Sequence, residues 1–135
     1  MRIMAMDYGE RRIGVAVSDP LGIIAQPLDT IEIKTQRELI KILKGLIVEN
    51  QVSLLLIGNP IDHKGNPTRM SQQINEFVSA LQKECTVEIR LWDERFTSRL
   101  AVRSMQDYGI KPGKKDIDAI AASIMLSEYL ATHRV

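Results

Sequence analysis

The chain has 135 residues, 44% hydrophobic and 26% charged, which suits one hydrophobic core and leaves little material for a second. Eighteen Lys+Arg against 17 Asp+Glu give a formal net charge of +1. That balance excludes recognition of a polyanion by global charge, so any basic footprint must be local.

In chain order, residues 2–7 and 13–18 read as strands joined by the turn-rich GERR at 9–12. The stretch before Asp7 is too short for a secretory leader. A third extended piece follows at about 22–33, where Pro27 argues for an edge strand because proline donates nothing to a ladder. Thr35-Gln36-Arg37-Glu38 fits a capping box, and Leu39, Ile40, Leu43, Leu46 and Ile47 follow at helical spacing. The run Leu54-Leu55-Leu56-Ile57 reads as a strand buried on both faces and ended by Gly58-Asn59-Pro60. VSLLLIG at 52–58, the densest apolar run, is far too short to cross a bilayer.

A polar loop from Asp62 to Thr68 leads into a second helix through Ile74, Phe77, Val78 and Leu81. The single cysteine, Cys85, rules out an internal disulfide and suits a reducing cytosol. Thr86 to Trp92 reads as the fifth strand. Helices are expected at about 97–108, stopped by Gly109, and at about 117–132, after the basic loop Lys111-Pro112-Gly113-Lys114-Lys115. The order βββαβαβαα predicts one α/β domain over residues 1–135: a mixed five-stranded sheet with helices on both faces. By analogy with ribonuclease H-like folds, the expected spatial order is 3-2-1-4-5. The expectation is a soluble, cytoplasmic protein with no membrane partner.

In that order the C-terminal ends of strands 1, 4 and 5 share one sheet edge, where ligands bind in such folds. Asp7 ends strand 1, and Asp93-Glu94 end strand 5. These two strands would lie about 9.6 Å apart, two strand spacings. Extended carboxylates could span that gap through one or two cations, with Gly58 leaving the middle open. Asp118, expected in the first turn of the last helix, could join them because Ala119, Ala121 and Ala122 let that helix press on the sheet. Oxygen donors without clustered histidines favour Mg²⁺ or Mn²⁺ over zinc. Taken singly, each acid also has an ordinary reading: a turn residue at Asp7, surface ion pairs at Asp93 or Glu94, a helix cap at Asp116.

From Arg95 to Lys115 six cations (Arg95, Arg99, Arg103, Lys111, Lys114 and Lys115) face Asp107 alone, and Arg11 and Arg12 flank Asp7. A basic stripe beside acidic ligands suits a nucleic acid whose phosphates reach the metal. Aromatics are only 4% of the chain, so base stacking has few platforms; Tyr8 and Phe96 are the candidates, and both equally suit the core.

The set Asp7-Tyr8-Gly9, Arg12-Ile13-Gly14-Val15-Ala16-Val17-Ser18-Asp19, Gly58-Asn59-Pro60, Asp93-Glu94-Arg95-Phe96-Thr97-Ser98 and Lys115-Asp116-Ile117-Asp118 with Ala121-Ala122 resembles the YqgF family. These are ribonuclease H-like proteins similar to Holliday junction resolvases and described as pre-16S rRNA nucleases. The resemblance runs from residue 1 to about 131. It implies catalytic, metal-holding acids at Asp7, Glu94 and Asp118, and Asn59 departs from the family's usual Gly-Leu-Pro. It further implies a Mg²⁺- or Mn²⁺-dependent nuclease of precursor 16S rRNA, with ribosomal particles as partners and a monomer or weak homodimer as the state. Cleavage of branched DNA is the nearest alternative. A non-catalytic RNA-binding assembly factor and an actin-like ATP binder stand further off, the latter because the chain has no room for a second nucleotide-closing half.

Overall fold

A computed structural model describes residues 2–9, 11–59, 68–93 and 114–132. Strands β1 (Arg2–Tyr8), β2 (Arg12–Ser18) and β3 (Ala25–Glu32) form an antiparallel meander. Helix α1 (Gln36–Glu49), β4 (Val52–Asn59), α2 (Arg69–Gln82), β5 (Glu88–Asp93) and α3 (Lys114–Thr132) follow. The sheet order is β3-β2-β1-β4-β5, with β4 parallel to both β1 and β5. The order and the edge position of β3 are those the sequence predicts. Pro27 pairs with Ala16 just past a register shift between Val15 and Ala16, the kind of irregularity where a residue without an N–H is tolerated.

Period-two alternation assigns the strand residues to two cores. Met4, Met6, Ile13, Val15, Leu55 and Ile57 point to one face and pack on α1 and α2 through Leu39, Leu43, Ile74, Phe77 and Leu81. Ala5, Ala16, Leu54 and Leu56 point to the other, where Ala122, Met125, Leu126, Tyr129 and Leu130 of α3 cover them. The small residues Ala5 and Ala16 opposite Ala122 let α3 lie close. Thr35 caps α1 by accepting the Glu38 amide at 3.1 Å, half of the expected capping box; the return bond from the Glu38 side chain is not made. At α2 the reciprocal capping box is formed by Thr68 and Ser71.

The start of the last helix differs from expectation. The last helix begins at Lys114, about one turn before residue 117. Asp116 therefore lies inside its first turn, where it cannot be the N-cap, and Asp118 lies a turn deeper than predicted. The helix expected at 97–108 falls outside the described residues. Among the described residues, no helix is long and apolar enough to cross a membrane.

Candidate functional site

Asp7 follows Met6 in β1, so alternation turns it away from the α1–α2 core and toward α3. It pairs in register with Gly14 of β2. Gly14 is the closest approach of sheet and helix: a Cβ built there would overlap the Asp118 carbonyl and lie 2.7 Å from the Ala119 amide nitrogen. Only a residue without a side chain lets the α3 backbone rest on β2. The ladder partner of one acid is thus the seat of the other.

The pair is read electrostatically as well as geometrically. Partial burial, and then the charge of Asp7, push the Asp118 carboxyl above its ordinary value, while Arg12 pulls it back down. Arg12 Nε lies 3.4 Å from Asp118 Oδ2, with the two side chains 29% and 28% exposed. Arg12 is held from below: its carbonyl accepts the Gly9 amide at 2.9 Å, closing the β1–β2 hairpin. Gly9, Arg11, Arg12 and Asp118 line an open cleft of about 320 Å³. Arg11 is exposed beside it, and its carbonyl accepts the Ile33 amide at 2.8 Å, tying the hairpin to the end of β3.

The β1–β4–β5 register carries this level across the sheet. Met6 pairs with Ile57 and Ile57 with Leu91, so the next residues, Asp7, Gly58 and Trp92, stand side by side. Gly58 presents no side chain between Asp7 and Trp92. Trp92 meets Tyr129 of α3 edge-on at 5.6 Å, and the Tyr129 hydroxyl accepts from Arg90 at 2.8 Å. Asp93, opposite Asn59, ends β5 at the same sheet edge.

Of the predicted acids, then, Asp7 and Asp118 converge, and Glu94 lies outside the described residues. Among those residues no group of three His, Cys, Asp or Glu side chains could hold a metal. Two converging carboxylates nevertheless suit a hard divalent cation, whose charge offsets the repulsion between them. Of the predicted phosphate contacts, Arg11 and Arg12 are at the cleft; Lys114 and Lys115 are in the first turn of α3, on the element that brings Asp118. Arg95, Arg99, Arg103 and Lys111 lie outside the described residues, as does Phe96.

Tyr8 is half-buried and packs as the core alternative expects. Its ring sits 5.4 Å from that of Phe77, on the sheet face opposite Asp7. Two features escaped the sequence reading: the Gly14 seat and the Arg12–Asp118 pair. A glycine in the interior of a strand, between Ile13 and Val15, was the available signal for the first.

A family model described as RuvX, Holliday junction resolvase, matches residues 1–132. A protein of Halothermothrix orenii is 40% identical over 132 residues, covering 96% of this chain and 94% of the relative. One of Koribacter versatilis is 37% identical, with 96% and 86% covered, and one of Clostridium novyi 38%, with 96% and 98%. All three are provisionally named pre-16S rRNA nuclease. Among solved structures, Thermus thermophilus RuvC in complex with a Holliday junction substrate superposes with a TM-score of 0.64 at 12% identity, covering 98% of this chain and 94% of that one. The fowlpox virus resolvase bound to Holliday junction DNA gives 0.62 at 10%, with both chains covered in full. At those identities the likeness is one of fold, and the fold is ribonuclease H-like.

Proposed function

We propose, for a chain that belongs to the RuvX family of Holliday junction resolvases, a metal-dependent nuclease that hydrolyses phosphodiester bonds in nucleic acid. Its substrate in this reading is the 5′ end of precursor 16S rRNA, handled within the cytoplasm and on ribosomal particles, and the working unit is one domain over residues 1–135. The observation that carries the reading is the meeting of Asp7 and Asp118 across Gly14, beside a cleft edged by two arginines. Full-length relatives named for pre-16S rRNA support the choice of substrate.

Asp7 and Asp118 would hold Mg²⁺ or Mn²⁺, with Glu94 from the segment after β5 as the third donor. Bound there, such a cation lowers the pKa of the attacking water and stabilises charge on the leaving oxygen. The chain's own part is to fix these donors. The β1–β2 ladder sets Asp7, and the Gly14 seat sets the main chain at Asp118. Arg11 and Arg12 line the approach, where a phosphate backbone needs cationic partners, and Lys114 and Lys115 begin the helix that carries Asp118. Arg95, Arg99, Arg103 and Lys111 complete the proposed basic footprint.

The test is cleavage of a labelled precursor 16S rRNA fragment with Mg²⁺, with Mn²⁺ and with EDTA, by wild type and Asp7→Asn. Activity in EDTA, or a folded Asp7→Asn protein that cuts at the wild-type rate, would remove the reading. Branched DNA is the second candidate, favoured by the family description and by the two junction-bound structures that share the fold. A four-way DNA junction run beside the RNA decides between them.

A further inference from the structure

The geometry points to a second task for Arg12: we propose that its guanidinium is the resident counter-ion of Asp118, displaced when a divalent cation binds beside the two acids and thereby released toward a substrate phosphate. The inference rests on the metal reading above and adds an order of events to it.

Asp118 is the member of this triad that cannot retreat. Its main chain lies against Gly14, in the body of the sheet, and the following residues Ala121 and Ala122 are fully buried. Asp7 sits within the β1 ladder. Arg12 is anchored through its backbone, at the start of β2 and opposite Glu32 of β3. Beyond its anchored backbone lies a long flexible side chain, and its head stands in the open cleft with Gly9, Arg11 and Asp118.

The contact with Asp118 is made through Nε at 3.4 Å, with both side chains nearly a third exposed. It is an ion pair by distance and not a hydrogen bond, so it commits none of the five N–H donors of the guanidinium. Partly exposed pairs of this kind are weak, so a doubly charged ion in the same place outcompetes one guanidinium. Once the ion is present, Arg12 is a like charge beside it, and the favourable partner in reach is an incoming phosphate. Glu32, exposed at the paired position of β3, is an acid of the neighbouring strand at the same level.

The sign of the metal effect makes this testable. A residue that merely orients a ligand should weaken metal binding when removed. A counter-ion that competes with the metal should strengthen it. Mn²⁺ is titrated into the full chain without nucleic acid, free Mn²⁺ being followed by electron paramagnetic resonance, for wild type, Arg12→Gln, Arg12→Lys and Asp118→Asn. Arg12→Gln should bind Mn²⁺ roughly two- to fivefold tighter, the range a weak exposed pair allows, and Arg12→Lys should fall between it and wild type. With Mn²⁺ saturating, Arg12→Gln should bind duplex RNA more weakly, with a salt slope shallower by about one.

Equal or weaker Mn²⁺ binding by a folded Arg12→Gln protein overturns the exchange. The metal reading survives that result if wild type binds Mn²⁺ and Asp118→Asn does not. A wild-type protein that takes no Mn²⁺ removes both. Should the glutamine variant melt early, Arg12→Lys carries the comparison, and affinity at or below wild type counts against the proposal.

Discussion

Replacing Gly14 with alanine inserts one methyl where helix and sheet touch. Its carbon would overlap the Asp118 carbonyl and stand 2.7 Å from the Ala119 nitrogen, against an ordinary contact of at least 3.4 Å. Clearing the nitrogen alone requires a shift of about 0.7 Å, the difference of those two distances, and the carbonyl requires more. Both obstacles are backbone atoms, so rotamer changes cannot absorb the methyl. The start of α3 must move by on the order of 1 Å, and Asp118 moves with it. Misplacement of that size costs roughly 100-fold in rate where a catalytic constellation is concerned. Overpacking of a tight contact costs about 1–3 kcal/mol of stability, which for this length is a Tm lower by roughly 4–12 °C. The assay is single-turnover cleavage of the RNA fragment at a temperature where thermal melting shows both proteins fully folded, with substrate affinity measured separately. The loss should fall on the rate at saturating substrate. A Gly14→Ala protein that cuts within threefold of wild type and melts within 1 °C of it would refute the seat as described.

Gly45, exposed in α1 with open space where a Cβ would go, is the converse case: Gly45→Ala should raise stability by about 0.5–1 kcal/mol in denaturant titration and leave cleavage unchanged. Asp19 takes the Ile23 and Ile24 amides on Oδ1 at 2.7 and 2.8 Å, and these bonds hold its carboxyl below the usual range. A depressed folded pKa contributes stability that is complete above the unfolded value of about 3.9 and is lost as pH falls from there through the folded one. Asp19→Ala should therefore melt below wild type at pH 7, with the gap closing as pH drops beneath about 4; a gap unchanged at pH 2 would contradict it. Tyr8→Leu should change the Kd for single-stranded RNA by less than about twofold, whereas loss of a base-stacking ring costs about fivefold or more; a larger change would return Tyr8 to the binding surface.

The fold was largely legible because its signals are local and mutually consistent. Alternation in RIGVAVS, the unbroken LLLI run and Thr35 ahead of a periodic segment each specify one element, and chain order with the crossover rules leaves few sheets to consider. Asp7 stood out as a carboxylate where a strand ends. What stayed hidden depends on contacts between distant segments. Nothing near Gly14 in the chain says that residue 118 will rest on it, and nothing near Arg12 says which acid it will meet. The start of α3 was misplaced because Asp116 resembles a cap by residue type, whereas helix geometry is already established at Lys114.

One consequence follows from how the two acids are joined. They are separated by 111 positions of chain, and the surface that brings them together is the flank of β2 on which α3 settles. A growing polypeptide holding only the meander and the first crossovers has half of the pair. On the proposed reading, competence to cut would arrive in a single late step, when the last helix docks, and any event that lifts that helix away would separate the two acids.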